Sequence, residues 1–390
     1  MKNSLILLLL FCSCAQALDF SGNAEYLYTS IEKKETLLNP GNLLSIPPNT
    51  HLGEIKTGFS AQTKYKITID ARARYDSMLE KSEGLLDQAY IILEPADYLK
   101  FKLGRQKIGF GVGYLWNPVN DLDIKKDAYN PEKYSQGIDV LRFTHDFTSF
   151  LDRPFSFNFE FIPPTETQEI NNLQYARTGA QFYLLTNDIE LGLLGSYKKN
   201  LNYSDNSLIG VYTSVDIGGM ILGMEYAQAN KPELVYFTNT GLTNKIGWET
   251  QAIVNLNRRI TEKSFIMLEY FYNGFGYDET DFSNMLNLIN SSYALYAPVA
   301  LGTLNPGYLS KNYIFCTLSY DLTDNLGFSF STLGNLDRPG GFVYPQFSWT
   351  KLKNTTISLE GISNISSDKQ SEFSLSPYSS MLLLRTQYFF

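Results

Sequence analysis

The chain has 390 residues, with 32 Lys and Arg against 40 Asp and Glu, a formal net charge of -8 and a pI near 5.0. That balance excludes a general nucleic-acid binder, which needs a basic field for phosphate. The two histidines, His51 and His145, leave little material for His-based metal sites or acid–base catalysis. Hydrophobic residues make up 44% of the chain, yet the mean hydropathy is -0.18, so apolar side chains are interspersed with polar ones. Aromatics reach 14%, a level that suits a barrel with aromatic girdles at two membrane interfaces.

In chain order, the first feature is an export signal. Lys2 supplies a charged start, Leu5 to Phe11 an apolar stretch, and Ala15-Gln16-Ala17 a small-residue cleavage site. Residues 1–17 are read as a signal peptide and 18–390 as the mature domain; lipidation at Cys14 is the poorer alternative. Beyond it no run of 18 apolar residues occurs, which excludes a spanning helix. Cys316 is then the remaining cysteine, so no intrachain disulfide is expected.

Segments of about 9 to 13 residues follow, alternating apolar and polar positions as membrane barrel strands do. In Lys66 to Tyr75, Lys66, Thr68, Asp70, Arg72 and Arg74 share one face. In Phe155 to Phe161, four Phe alternate with Ser156, Asn158 and Glu160. In Trp248 to Asn257, Trp248, Thr250, Ala252, Val254 and Leu256 oppose Glu249, Gln251, Ile253, Asn255 and Asn257. The connections alternate long and short: residues 31–52 are long and the break near Tyr65 tight, 108–136 long and 147–153 short, 275–310 very long and 323–325 tight. A soluble sandwich has no reason to sort its loops this way. A barrel with external loops and periplasmic turns does. The prediction is an all-β, transmembrane antiparallel up-and-down β-barrel of about 18 strands, 16 being the alternative, in a Gram-negative outer membrane. The chain ends with Leu382, Leu384, Thr386, Tyr388 and Phe390 on one face, the form of closing strand that outer-membrane assembly machinery reads.

The most distinctive stretch is Leu85 to Asp123. Leu85 to Leu93 and Tyr98 to Lys107 read as strands joined at Glu94-Pro95-Ala96-Asp97. The connection after them, 108–136, is too long for an ordinary loop. It is expected to fold inward and narrow the pore, with Gly109, Gly111 and Gly113 permitting bends, Tyr114 and Trp116 packing on the wall or on sugar rings, and Asn117, Asp121 and Asp123 as polar lining. Charges suggest two walls. Lys66, Arg72, Arg74, Lys100, Lys102, Arg105 and Arg142 form a basic group, and Glu190, Glu225, Glu249 and Glu269 an acidic one. Arg105 joins the basic wall only if Gly104 marks a bulge.

LDQAYIIL followed by KLGRQKIGFGVGYLWNPVNDLD resembles the alginate-export-like family of outer-membrane barrels. The resemblance covers roughly 40 residues and implies an 18-stranded channel for polyanionic polysaccharide or small solutes. A polyuronate conduit needs a strongly basic pore, and this chain is acidic. The expected function is therefore a porin for passive passage of small charged solutes or oligosaccharides. Export of an anionic polysaccharide with a periplasmic partner is the alternative, and a structural or adhesin barrel using 275–310 a further one. Outer-membrane lipid and the barrel assembly machinery are the implied partners. No catalytic residue or cofactor is predicted: Gly109-x-Gly111-x-Gly113 is followed by no helical pattern. Asp121, Asp123 and Asp127 give only a weak Ca²⁺ signal.

Overall fold

The computed structural model describes residues 17–62, 65–129, 131, 136–164, 173–199, 205–231, 234–245, 247–367 and 371–390. Residues 1–16 of the predicted signal segment lie outside this set. The strands are β1 (Ala17–Lys33), β2 (Asn49–Gln62), β3 (Lys66–Asp76), β4 (Lys81–Ala96), β5 (Leu99–Gln106), β6 (Ile138–Asp146), β7 (Phe155–Ile162), β8 (Arg177–Leu185), β9 (Ile189–Lys198) and β10 (Asn206–Asp216). They continue with β11 (Met220–Asn230), β12 (Val235–Thr238), β13 (Gly241–Asn244), β14 (Glu249–Thr261), β15 (Ser264–Asn273), β16 (Asn312–Thr323), β17 (Leu326–Asn335), β18 (Gly340–Trp349), β19 (Thr355–Ser366) and β20 (Tyr378–Phe389). All but β12 and β13, which form a small separate hairpin, belong to one 18-stranded antiparallel sheet. β1 pairs with both β2 and β20, so the sheet closes on itself.

Period-2 alternation explains which face each residue takes. Large apolar side chains point outward and are exposed: Ile55, Leu193, Ile209, Val254 and Leu382 among them. Charged and polar residues point inward and are buried: Glu25, Glu54, Arg72, Glu160 and Glu360. This inverts the arrangement of a soluble protein and matches a barrel whose exterior meets hydrocarbon. Outward aromatics gather at both strand ends, with Tyr75, Tyr197 and Trp248 on the long-loop side and Tyr98, Tyr320 and Trp349 by the short turns.

The long connections carry structure that alternation does not predict. Residues 274–311 contain two helices, Glu279–Ser291 and Tyr293–Thr303. The first has a capping box: the Asp278 carboxylate accepts from Asp281 N–H at 3.0 Å, and Asp281 accepts from Asp278 N–H at 3.1 Å. Phe282, Met285 and Ile289 bury one face of it against Tyr277 of the same connection and Leu38 and Phe237 from others. A cap with its own apolar core thus forms on the long-loop side.

Candidate functional site

The connection between β5 and β6 runs along the inward face of the barrel and is fastened there by two carboxylates. Glu225 on β11 accepts backbone N–H bonds from Val112 at 2.6 Å, Gly113 at 2.8 Å and Val119 at 3.3 Å. Glu269 on β15 accepts from Tyr114 at 2.6 Å, Leu115 at 3.0 Å and Trp116 at 2.9 Å. Between them Asn255 on β14 donates to Val112 C=O at 2.6 Å. Successive amides converging on an anion are a strong, charge-assisted arrangement. It requires close backbone approach. Gly111 has φ +83°, and a Cβ there would meet Glu225 Oε1 at 2.4 Å; a Cβ on Gly113 would meet Trp116 C=O at 1.7 Å.

Packing completes the attachment. Trp116 is fully buried, stacks on Phe271 at 5.0 Å, and donates its indole N–H to Gly307 C=O at 2.8 Å. Trp116 therefore joins the loop to the cap. Ile253, Met267, Phe315 and Leu333, all apolar yet inward, form the surface it meets. Farther along, Arg177 donates to Asp121 C=O at 2.6 Å, and the Asp121 carboxylate accepts from Ser196 at 2.7 Å. Asn117 donates to Phe110 C=O. Asp123 accepts from Ile108 N–H at 3.2 Å and Ile124 N–H at 2.8 Å; burial pushes its carboxyl above the usual range. The Lys126 ammonium donates to the Gly113 and Tyr114 carbonyls, and burial lowers its pKa against the pull of Glu269 and Glu225. Gly109 is exposed.

Two chambers flank this loop. The outer one, about 570 Å³, is lined by Gly109, Trp116, Asp121, Lys126, Arg177 and Lys231. The inner one, about 500 Å³, lies toward the short turns and is lined by Tyr114, Tyr129, Ser319, Gln346, Thr356 and Gln387.

The charged groups differ from the two-wall expectation. Glu225 and Glu269 are 2% and 0% exposed. They do not face open lumen, because the loop amides occupy their oxygens. Glu190 and Glu249 keep inward positions, bonded to Ser214 at 3.0 Å and Lys245 at 2.6 Å. Arg105 leaves the basic group: β5–β6 pairing sets it opposite Asp139, which it binds at 2.8 Å on the outward face. Gly104 has φ +116° but shifts no register. Most of the inward cations are paired. Arg72 contacts Asp87 at 3.0 Å and Glu54 at 3.5 Å, and Arg142 contacts Glu160 at 3.0 Å. Arg74 pairs with Glu83, and Lys100 with Glu94 at 2.8 Å. Lys102 lies over the Tyr90 ring at 3.8 Å, and Lys66 opens the inward row of β3. Arg385 sits between Glu25 at 2.7 Å and Glu360 at 2.6 Å.

No family model matches the chain, and no curated protein matches it. Solved structures do. Salmonella typhi OmpF in complex with daunomycin superposes with a TM-score of 0.50 at 12% identity, covering 96% of this chain and 97% of that one. The fold is that of an outer-membrane porin. A mutant of the Rh. blastica porin gives a TM-score of 0.49 at 9% identity, covering 96% of this chain and 100% of the other. Among the described residues no group of three or more His, Cys, Asp or Glu side chains could hold a metal ion. Asp121, Asp123 and Asp127 each turn to separate partners, Asp127 accepting from Tyr129 N–H at 3.0 Å.

Proposed function

We propose that the chain is a passive outer-membrane channel for small hydrophilic solutes, with residues 107–137 as its constriction. The observation that carries this reading is the docking of that loop on Glu225 and Glu269 between two chambers. Solutes would diffuse through the wet lumen past the loop, selected by width and by the charges beside it. The apolar exterior would contact outer-membrane lipid after insertion by the assembly machinery, residues 1–17 having been removed as the signal.

The resemblance to alginate-export-like barrels would direct the same pore to a polyanion. Paired cations support the small-solute reading instead. Arg72, Arg142 and Arg385 each have a carboxylate within 3.5 Å, which leaves little uncompensated positive field for a polyuronate. Planar-bilayer recording tests the proposal. The mature chain should give single-channel steps, and deletion of 109–127 should raise their size. Unchanged steps after deletion would remove the constriction, and absence of steps in the intact chain would remove the channel.

A further inference from the structure

The barrel interior has two unlike sides. On β2 to β7 the inward rows carry ion pairs, such as Arg72 with Asp87 and Arg142 with Glu160. On β16 to β20 they are mostly hydroxyls and amides. Registration sets these in short rows across neighbouring strands, which Glu360 and Arg385 interrupt on β19 and β20. Ser319 stands opposite Ser329, and Ser329 opposite Gln346. Ser348 stands opposite Ser358, and Thr356 opposite Gln387. Directly opposed residues lie about 4.5–5.5 Å apart, close enough to work in concert. The Thr317 and Ser331 hydroxyls already meet at 2.9 Å, and Ser329 donates to Gln346 at 3.3 Å.

These rows face the inner chamber, and the loop supplies its aromatic edge. Tyr114 stacks on Phe315 at 5.9 Å and 23°, and Tyr129 packs on Phe342 at 4.6 Å. Both tyrosines and Phe265 line the chamber beside the hydroxyl rows. A pyranose presents an apolar C–H face and a rim of hydroxyls. Aromatic rings suit the first. Hydroxyls and amides, which both donate and accept, suit the second. The chamber's charged lining is Glu25, Glu54 and Glu360 against Lys56 and Arg385, three carboxylates to two cations. That excess opposes a polyanion. A volume of about 500 Å³ falls within the range of ligand sites, about 300–1,000 Å³.

We infer that the β16–β20 wall, with Tyr114 and Tyr129, is a binding subsite for neutral oligosaccharides on the short-turn side of the constriction. The inference rests on the channel reading and names a solute class for it.

The test is current block in planar bilayers with the full mature chain, using maltotriose as the neutral probe and trigalacturonate as the anionic one. Maltotriose should block in a concentration-dependent way, at least tenfold more strongly than trigalacturonate. Ser329→Val with Gln346→Leu should weaken that block at least fivefold, and Ser329→Thr should retain it. Lys102→Gln, on the opposite side, should change ion selectivity and leave the maltotriose block within twofold. Equal block by the two probes, or steps indifferent to maltotriose, would overturn the subsite and leave the channel standing. Absence of steps would overturn the channel. Calorimetric titration of the micellar protein with maltotriose then decides the subsite: binding weakened by the double substitution supports it, and no binding overturns it.

Discussion

Residues 107–137 and residues 274–311 are the two longest connections of the barrel, and they are ordered by different means. The first contains no helix or extended strand among its described residues. Its order comes from the wall: six of its backbone amides end on Glu225 and Glu269. The second makes its own hydrogen bonds in two helices and packs Phe282, Met285 and Ile289 into a core shared with Leu38 and Phe237. A loop ordered mainly by borrowed acceptors leans on two carboxylates, whereas a helical loop in an apolar core distributes that dependence. The distinction suits the proposed roles, because a constriction must hold backbone at a fixed place in the lumen and a cap need only hold together.

Removing the borrowed acceptors breaks this comparison most directly. Glu225→Ala with Glu269→Ala strands six amides, the three buried ones (Leu115, Trp116 and Val119) at about 1–3 kcal/mol each. The loop should leave the wall, and single-channel conductance should rise severalfold; an unchanged conductance would mean that packing alone holds it. Phe282→Ala should cost the cap about 3–5 kcal/mol and open it to limited proteolysis between 279 and 303, while the barrel keeps its resistance to unfolding in detergent. Loss of barrel stability in this variant would show that cap and barrel are one unit.

A smaller effect separates them by pH. Glu372, in the short helix Glu372–Leu375, is buried and bonded to Tyr313 at 2.7 Å; burial raises its pKa to about 8. The folded state then binds a proton that the unfolded state has released. Its contribution is full below the ordinary carboxyl pKa of 4.5 and is lost progressively as pH rises from there to about 8. Hydrogen exchange around 371–376 should therefore quicken between pH 5 and 8 beyond its intrinsic rate, and Glu372→Gln should flatten that dependence. The smallest change is Asp278→Ala, which removes the helix cap at about 1 kcal/mol. It should speed exchange at Thr280 to Phe282 and leave conductance unaltered.

What the sequence discloses follows from the range of each interaction. Strand alternation has a period of two residues, so Lys66 to Arg74 already display their inward row, and long and short connections can be counted along the chain. The helices at 279–303 were also written locally, in Asp278-x-x-Asp281 before Phe282, Met285 and Ile289; the loop reading passed over them because a strand rhythm dominated both sides. The anchoring of the constriction was not legible. It joins Val112 to a carboxylate 113 residues away and Tyr114 to one 155 residues away. Its one sequence trace is apolar residues on the lumen row, Ile253, Met267 and Phe271, where a wet wall would carry polar ones. Alternation alone put Arg105 on the outward face, and the unshifted β5–β6 register removed the bulge at Gly104 that would have turned it inward.

The seam between β1 and β20 bears on time as well as shape. Gly22 and Phe390 exchange two backbone hydrogen bonds at 3.0 Å, and Arg385 ties Glu25 to Glu360 across the join. These contacts unite the two extremes of the sequence, so the ring can close only after every intervening strand is in place. Until then β1 and each newest strand carry open edges that would pair with any neighbouring chain, and closure must wait on the slowest, most distant contact. The loop on Glu269 must dock later than β15 for the same reason. The barrel is therefore assembled as a clasp whose last fastening fixes all the others, and a chain halted before residue 385 would have strands without a ring.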